Sequence, residues 1–174
     1  MITIVCGTNR KNSSTRKVVS FYEEILQSKG QETSILNLED LPEDFIRSAL
    51  YENEGKNEEF NTFQERVDNC EKLVFITPEY NGSFPGVLKA FIDGMRFPGT
   101  FEGKKCALVG ISSGTQGAAL AMSHLTDIFN YLGMNVLAQK PRLPLLESKM
   151  NGNRIMDSEY IQLLEEQAEA FISF

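Results

Sequence analysis

At 174 residues the chain is long enough to bury one full hydrophobic core, and it reads as a single domain, 1–174. Its 41% hydrophobic and 24% charged content is that of an ordinary globular protein, while a net charge of −7 argues against nucleic-acid binding, which feeds on a basic surface. No apolar run approaches the ~20 residues needed to cross a bilayer, and Cys6, Cys70 and Cys106 are odd in number and far apart, the usage of reduced thiols in a cytoplasmic protein.

The chain enters a β-branched run, Ile2–Val5, at once, with no charged segment before it, so no signal peptide is expected. A loop from Cys6 to Thr15 follows. From Lys17 to Lys29 the apolar residues Val18, Val19, Tyr22, Ile25 and Leu26 recur at helical spacing, and Gly30 ends the pattern. Thr33–Leu38 reads as a second strand. Glu39–Glu59 is acidic and broken by Pro42, Asn53 and Gly55, a solvated excursion with a short helix near Asp44–Leu50. Phe60, Phe63, Val67 and Cys70 mark another helix. Leu73–Ile76 is continuously apolar, as expected of a central strand covered on both faces. A loop from Thr77 to Gly86 leads, with Pro85 at its first turn, into a helix bearing Val87, Leu88, Phe91 and Ile92. After a turn at Gly99–Gly103, Cys106–Ile111 is the fourth strand, Ser112–Gly117 a loop, Ala118–Leu132 a helix and Asn135–Leu137 a short last strand. Pro141–Pro144 reads as an extended linker, and Asp157 as the N-cap of a final helix ending near Phe171.

Strands alternating with helices predict an α/β three-layer sandwich, a five-stranded parallel sheet of order 2-1-3-4-5 with helices on both faces. Ligands of such sheets bind beyond the carboxyl ends of the strands, at the switch point. The loops after the first, third and fourth strands should therefore meet at one crevice.

The first of these loops ends at a helix N-terminus, where unpaired N–H groups and the helix dipole favour an anion. Arg10 can fork onto phosphate oxygens, and Thr8, Ser13, Ser14 and Thr15 carry hydroxyls. The plainer role for Ser13 or Ser14 is to cap that helix. A Walker A loop is excluded, because Asn12, Ser13 and Ser14 stand where it needs Gly, Lys and Ser or Thr. A dinucleotide fingerprint is excluded because the loop holds one glycine, Gly7. What remains suits a terminal phosphate monoester. The loop after the third strand offers amides and aromatic surface for a flat ring with polar edges, and Glu79 is its one ionisable acid. The loop after the fourth strand adds donors at another helix N-terminus.

Gly7-Thr8-x-Arg10-x-x-Ser13, then Pro78-Glu79-Tyr80-Asn81-Gly82-Ser83-x-Pro85-Gly86-x-Leu88-Lys89-x-x-x-Asp93, then Gly103-Lys104 before a strand and a Ser-Ser-Gly loop resemble the NADPH-dependent FMN reductase family. The resemblance runs from about residue 1 to 140. It implies a flavodoxin-like fold, bound FMN, NADPH or NADH as co-substrate, and homodimers or homotetramers whose interface helps form the flavin site. By motif position it implies that Thr8, Arg10, Ser13 and Thr15 hold the phosphate with the Ser14 N–H. Pro78, Glu79, Tyr80, Asn81, Gly82 and Ser83 then line the isoalloxazine, Ser112, Ser113 and Gly114 meet its far edge, and Gly117 lets the following helix approach. Two departures stand out: Thr8 replaces a more usual serine, and Gly94 stands where an aromatic commonly follows Asp93.

The activity so implied is hydride transfer from NAD(P)H to flavin and onward to a small-molecule acceptor such as a quinone, azo compound, free flavin or metal oxyanion. No catalytic acid or base and no metal ligand is assigned, since the cofactor carries the chemistry. His124, the one histidine, reads as a core or surface residue, and Lys89 and Asp93 as a solvated pair four apart. The alternative is a flavodoxin-type electron carrier or a flavin-binding module without its own NAD(P)H turnover, although the Thr-x-Thr-Gly loop usual in carriers is absent.

Overall fold

The computed structural model describes residues 1–174. Its strands are β1 (Ile2–Cys6), β2 (Thr33–Asn37), β3 (Lys72–Pro78), β4 (Lys105–Ile111), β5 (Asn135–Val136), β6 (Arg142–Leu143), β7 (Met150–Asn151) and β8 (Arg154–Ile155). Its helices are α1 (Ser14–Ser28), α2 (Phe45–Ser48), α3 (Glu58–Asp68), α4 (Gly86–Gly94), α5 (Ala119–Tyr131) and α6 (Ser158–Ser173). The main sheet is parallel with order β2-β1-β3-β4-β5, the doubly wound order of a flavodoxin-like fold.

The pleat sorts the strand residues onto two cores. Val5, Leu36, Leu73, Phe75, Cys106 and Leu108 point to one face, where α3, α4 and α5 cover them with Phe63, Phe91 and Phe129. Ile4, Cys6, Val74, Ile76, Val109 and Ile111 point to the other, under α1 and α6 with Tyr22, Leu26, Leu164 and Phe171. Every residue of β1 is buried, as a strand sandwiched on both faces must be. Helix starts follow their caps: Ser13 Oγ accepts from the Arg16 N–H at 3.3 Å, Asn57 Oδ1 from Phe60 at 2.9 Å, and Asp157 Oδ1 from Glu159 at 3.1 Å.

Two expectations are corrected. Pro141–Pro144 is not a linker, because Arg142 and Leu143 pair with Gly110 and Ile111 of β4. The fifth place in the sheet is thus filled in two pieces, β5 beside Lys105–Cys106 and β6 beside Gly110–Ile111. Between them the Leu108 carbonyl points to the gap, and Gln167 of α6 fills it. Its Nε2 donates to Leu108 O at 2.8 Å and Gln139 O at 2.9 Å, while its Oε1 accepts from the Tyr22 hydroxyl at 3.0 Å. Gln167 is fully buried with its amide satisfied, as burial of a polar side chain requires.

The acidic stretch is likewise more than a solvated excursion. The short helix expected there is present as α2, and Phe45, Ala49 and Leu50 enter the core while the acids stay outside. Phe45 stacks on Phe60 with ring centroids 5.6 Å apart. Phe60 also accounts for Gly94: a Cβ there would lie 2.7 Å from Phe60 Cζ, so a ring from α3 occupies the space that an aromatic at position 94 would use. The segment before α6 forms a hairpin, β7–β8, a feature with no counterpart in the sequence pattern.

Candidate functional site

The loops after β1, β3 and β4 meet at the carboxyl edge of the sheet around a cavity of about 400 Å³. Thr8, Arg10, Ser13, Ser14 and Thr15 line one side, Pro78, Glu79 and Tyr80 another, and Ser112 and Ser113 a third. Asn81, Gly82, Ser83, Gly114 and Gly117 lie outside its walls. Lys11, Asn12, Ile111, Leu146 and Glu147 complete the lining and were not anticipated. Lys11 and Asn12 were within the loop already singled out; Leu146 and Glu147 come from a turn beyond Leu145 that carries no motif. A cavity of about 550 Å³ between α4 and α5 has an apolar wall that includes Ile92, Phe97, Phe101 and Leu132, but none of the loop donors.

The turn after β1 is tight for steric reasons. A Cβ on Gly7 would come within 2.9 Å of the Ile76 carbonyl, the same oxygen that accepts the Gly7 N–H at 2.8 Å. Thr8 is buried and its Oγ1 accepts from the Arg10 N–H at 3.2 Å. Ser14 and Thr15 open α1, where N–H groups have no carbonyl one turn earlier. Neither Arg10 nor Lys11 belongs to an ion pair, whereas Arg16 is held by Glu39 at 3.2 Å. The donor set is hydroxyls, amide N–H groups and two uncommitted cations against two acids, Glu147 and Glu79, the latter bonded to the Ala118 N–H, which fits a phosphate monoester.

The β3–α4 loop is folded on itself. Tyr80 and Ser83 exchange backbone hydrogen bonds of 2.8 and 2.9 Å, with Asn81 at φ 50° and Gly82 at φ 72°. Two central residues at positive φ make a type I′ turn, for which Asn-Gly is the favoured pair. The Tyr80 hydroxyl lies 3.4 Å from Thr8 Oγ1 and joins this loop to the first. Glu79 Oε2 accepts from the Ala118 N–H at 3.1 Å and joins it to the third. Ser83 Oγ lies 2.9 Å from Nδ1 of His124, an exposed residue of α5.

The third loop is held by Ser112, whose hydroxyl donates to Gly114 O at 2.7 Å and accepts from the Gly117 N–H at 2.9 Å. The N–H groups of Leu145 and Leu146 return to the carbonyls of Gly114 and Ser112 at 2.9 and 3.1 Å, which brings Leu146 and Glu147 to the cavity. Gly117, at φ 59°, is required by packing against β6: a Cβ would meet Arg142 Cβ at 2.8 Å. Cys6 adjoins the site without serving it, since burial pushes its thiol up to about 11. No group of three or more His, Cys, Asp or Glu side chains is arranged to hold a metal ion, and no helix is long and apolar enough to cross a membrane.

Residues 1–141 match the family described as NADPH-dependent FMN reductase. The chain belongs to that family. Relatives of this FMN reductase family member include a 2-hydroxy-1,4-benzoquinone reductase of Burkholderia, 34% identical over 119 residues, 63% of this chain and 64% of the relative. An NAD(P)H-dependent FMN reductase of Pseudomonas aeruginosa is 35% identical over 114 residues, 62% of this chain and 60% of the relative. The matched region thus spans under two thirds of those relatives' length. Among solved structures, the flavoenzyme NAD(P)H:(acceptor) oxidoreductase of Paracoccus denitrificans superposes with a TM-score of 0.81 at 24% identity, over 99% of this chain and 94% of that one, a likeness of fold.

Proposed function

We propose that the chain is an FMN-dependent NAD(P)H oxidoreductase that reduces a small-molecule acceptor such as a quinone or azo compound. The observation that supports this most is the meeting of three strand-tip loops at one cavity whose donors suit a phosphate monoester. When bound, FMN supplies two-electron chemistry between NAD(P)H and the acceptor.

The chain's own part is to bind, orient and polarise. Thr8, Ser13 and Thr15 offer hydroxyls to the phosphate, Ser14 its N–H, and Arg10 a guanidinium that no carboxylate occupies. Pro78, Glu79 and Tyr80 present the wall against which the ring lies, with Asn81, Gly82 and Ser83 at its rim. Ser112 and Ser113, with Gly114 beyond them, face the far edge; the Ser112 hydroxyl and N–H are spent on Gly114 O and Leu143 O, so the donors that favour negative charge on the ring's polar side come from Ser113 and Gly114. Gly117 acts one step removed, by letting the loop close on β6. No side chain is assigned as general acid or base.

We further infer a homodimer or homotetramer, supported by the exposed aromatic side chains of Phe97 and Tyr131 around the apolar cavity between α4 and α5. The three unpaired cysteines support a cytoplasmic location.

The deciding experiment is to add FMN to the purified chain and follow NADH and NADPH oxidation with and without a panel of quinones, azo dyes and free flavin. Flavin binding with acceptor-dependent NAD(P)H oxidation is expected. Flavin that binds but is bleached by neither nicotinamide would point to an electron carrier, and failure to bind FMN would overturn the assignment.

A further inference from the structure

The Tyr80–Ser83 turn is closed by two backbone hydrogen bonds of its own, of 2.8 and 2.9 Å. Those bonds fix the shape of the turn; its attitude to the rest of the fold is set by its flanks, beginning with the Glu79 N–H, which donates to the Ile111 carbonyl at 3.0 Å. Side-chain ties add to that anchor. On the entering side Glu79 is bonded to the Ala118 N–H and the Tyr80 hydroxyl leans on Thr8. On the leaving side Phe84 packs against the core, and Ser83 itself is tied by the 2.9 Å contact between its Oγ and His124 Nδ1.

We propose that His124 is a positioning residue for the flavin site: through Ser83 it holds the Asn81–Gly82 turn in the attitude that meets the bound ring. This rests on the FMN reading above. His124 reaches the loop from the second turn of α5, so the tie joins the rim turn to a packed helix whose Leu125 and Phe129 are wholly buried. Imidazole suits the task because Nδ1 bonds to a hydroxyl in either tautomer, accepting the Ser83 proton or donating its own. Asn81 and Gly82 both sit at positive φ, and Asn81 is exposed with no side-chain hydrogen bond. Untied, the turn would have to be ordered when ligand binds, and that ordering subtracts from affinity.

The test is a fluorescence titration of FMN into flavin-free protein for the wild type, His124→Leu, Ser83→Ala, the double variant and His124→Asn, with thermal melting of each. Loss of one neutral hydrogen bond corresponds to about a three- to tenfold weaker Kd. His124→Leu and Ser83→Ala should each lose that much, the double variant no more than either, and His124→Asn, whose amide reaches the same point as Nδ1, should recover most of it. Melting temperatures should not follow this order. Affinity unchanged in His124→Leu, losses that add in the double variant, or no recovery in His124→Asn would each overturn the positioning role. If the wild type itself binds no FMN, the flavin assignment fails and this role with it; if the wild type binds and the variants behave alike, only the positioning role fails.

Discussion

The Glu79 carboxylate accepts the backbone N–H of Ala118 at 3.1 Å, across 39 residues of sequence. Ala118 is buried and left-handed, with φ 58°, a conformation that costs a non-glycine residue about 1–2 kcal/mol. It directly precedes α5, so its N–H is among the donors that a helix start leaves unpaired. One carboxylate therefore holds a strained residue, caps a helix and fastens the second loop to the third. Glu79→Ala should lower stability by about 1.5–3 kcal/mol, the worth of a hydrogen bond to a charged group. Glu79→Gln, which keeps the acceptor and loses the charge, should lose less. Urea unfolding of both variants checks the order.

Gln167 makes a second long-range tie, at the gap in the fifth strand. Gln167→Leu keeps the volume and strands the carbonyls of Leu108 and Gln139 and the hydroxyl of Tyr22, each bonded only to that amide among side chains. An unsatisfied buried group costs about 1–3 kcal/mol, so the loss should reach or exceed the upper end of ordinary point substitutions, about 3 kcal/mol. Denaturant midpoints measure it. Gln167→Glu should be worse still, since it removes both donors and buries a charge.

These ties mark the limit of what the sequence carries. The order of the sheet follows from apolar runs of strand length separated by helical patterns, and the meeting of the Gly7–Thr15, Pro78–Ser83 and Ser112–Gly117 loops follows from that order. Glu79 was legible as a polar residue of the second loop but not as the partner of Ala118, because a cap supplied from another loop leaves no local spacing. Arg142 and Leu143 looked like a linker since Pro141 and Pro144 flank them, yet the Pro141 carbonyl can still accept, and it does so from the Gly110 N–H at 3.0 Å. Leu146 and Glu147 reach the cavity through backbone bonds to the third loop, which no side-chain pattern records. In the acidic stretch the charges dominated the composition and hid Phe45, Ala49 and Leu50.

Gly94 and Phe60 should behave as one packing unit. Gly94→Ala places a Cβ 2.7 Å from Phe60 Cζ and 3.0 Å from Leu50 Cδ1, an overpacking that costs about 1–3 kcal/mol. Phe60→Leu alone leaves a void. The double variant should be more stable than the sum of the two losses, with a coupling of about 0.5–3 kcal/mol as contacting residues show. Simple additivity in thermal or urea unfolding would mean that Phe60 does not occupy the place of a side chain at 94.

Cys6 gives a dependence on alkaline pH. Burial raises its thiol from 9.0 to about 11, so the folded state favours the protonated form. A group whose folded pKa is raised contributes stability that is whole below the unfolded value and lost as pH climbs through the folded one. Stability should therefore fall between about pH 9 and 11 more steeply in the wild type than in Cys6→Ala. At neutral pH a thiol reagent should modify Cys6 only as fast as the protein opens, and denaturant should release the reaction.

Arg10 carries the sharpest test of the phosphate assignment. Its guanidinium lines the cavity, has no carboxylate partner, and stands beside hydroxyls and N–H groups that converge on the same space. A charge-assisted hydrogen bond contributes about 1.5–3 kcal/mol, so Arg10→Ala should weaken FMN binding by roughly ten- to a hundredfold. Riboflavin has the same ring and no phosphate, and its affinity should change little. The ratio of the two Kd values is thus the quantity to measure, because it cancels any general loosening of the site. A ratio that collapses toward one in Arg10→Ala means that the phosphate sits against this residue. Equal losses for both ligands would mean that Arg10 supports the fold of the loop instead, and the phosphate would have to be sought elsewhere along the crevice.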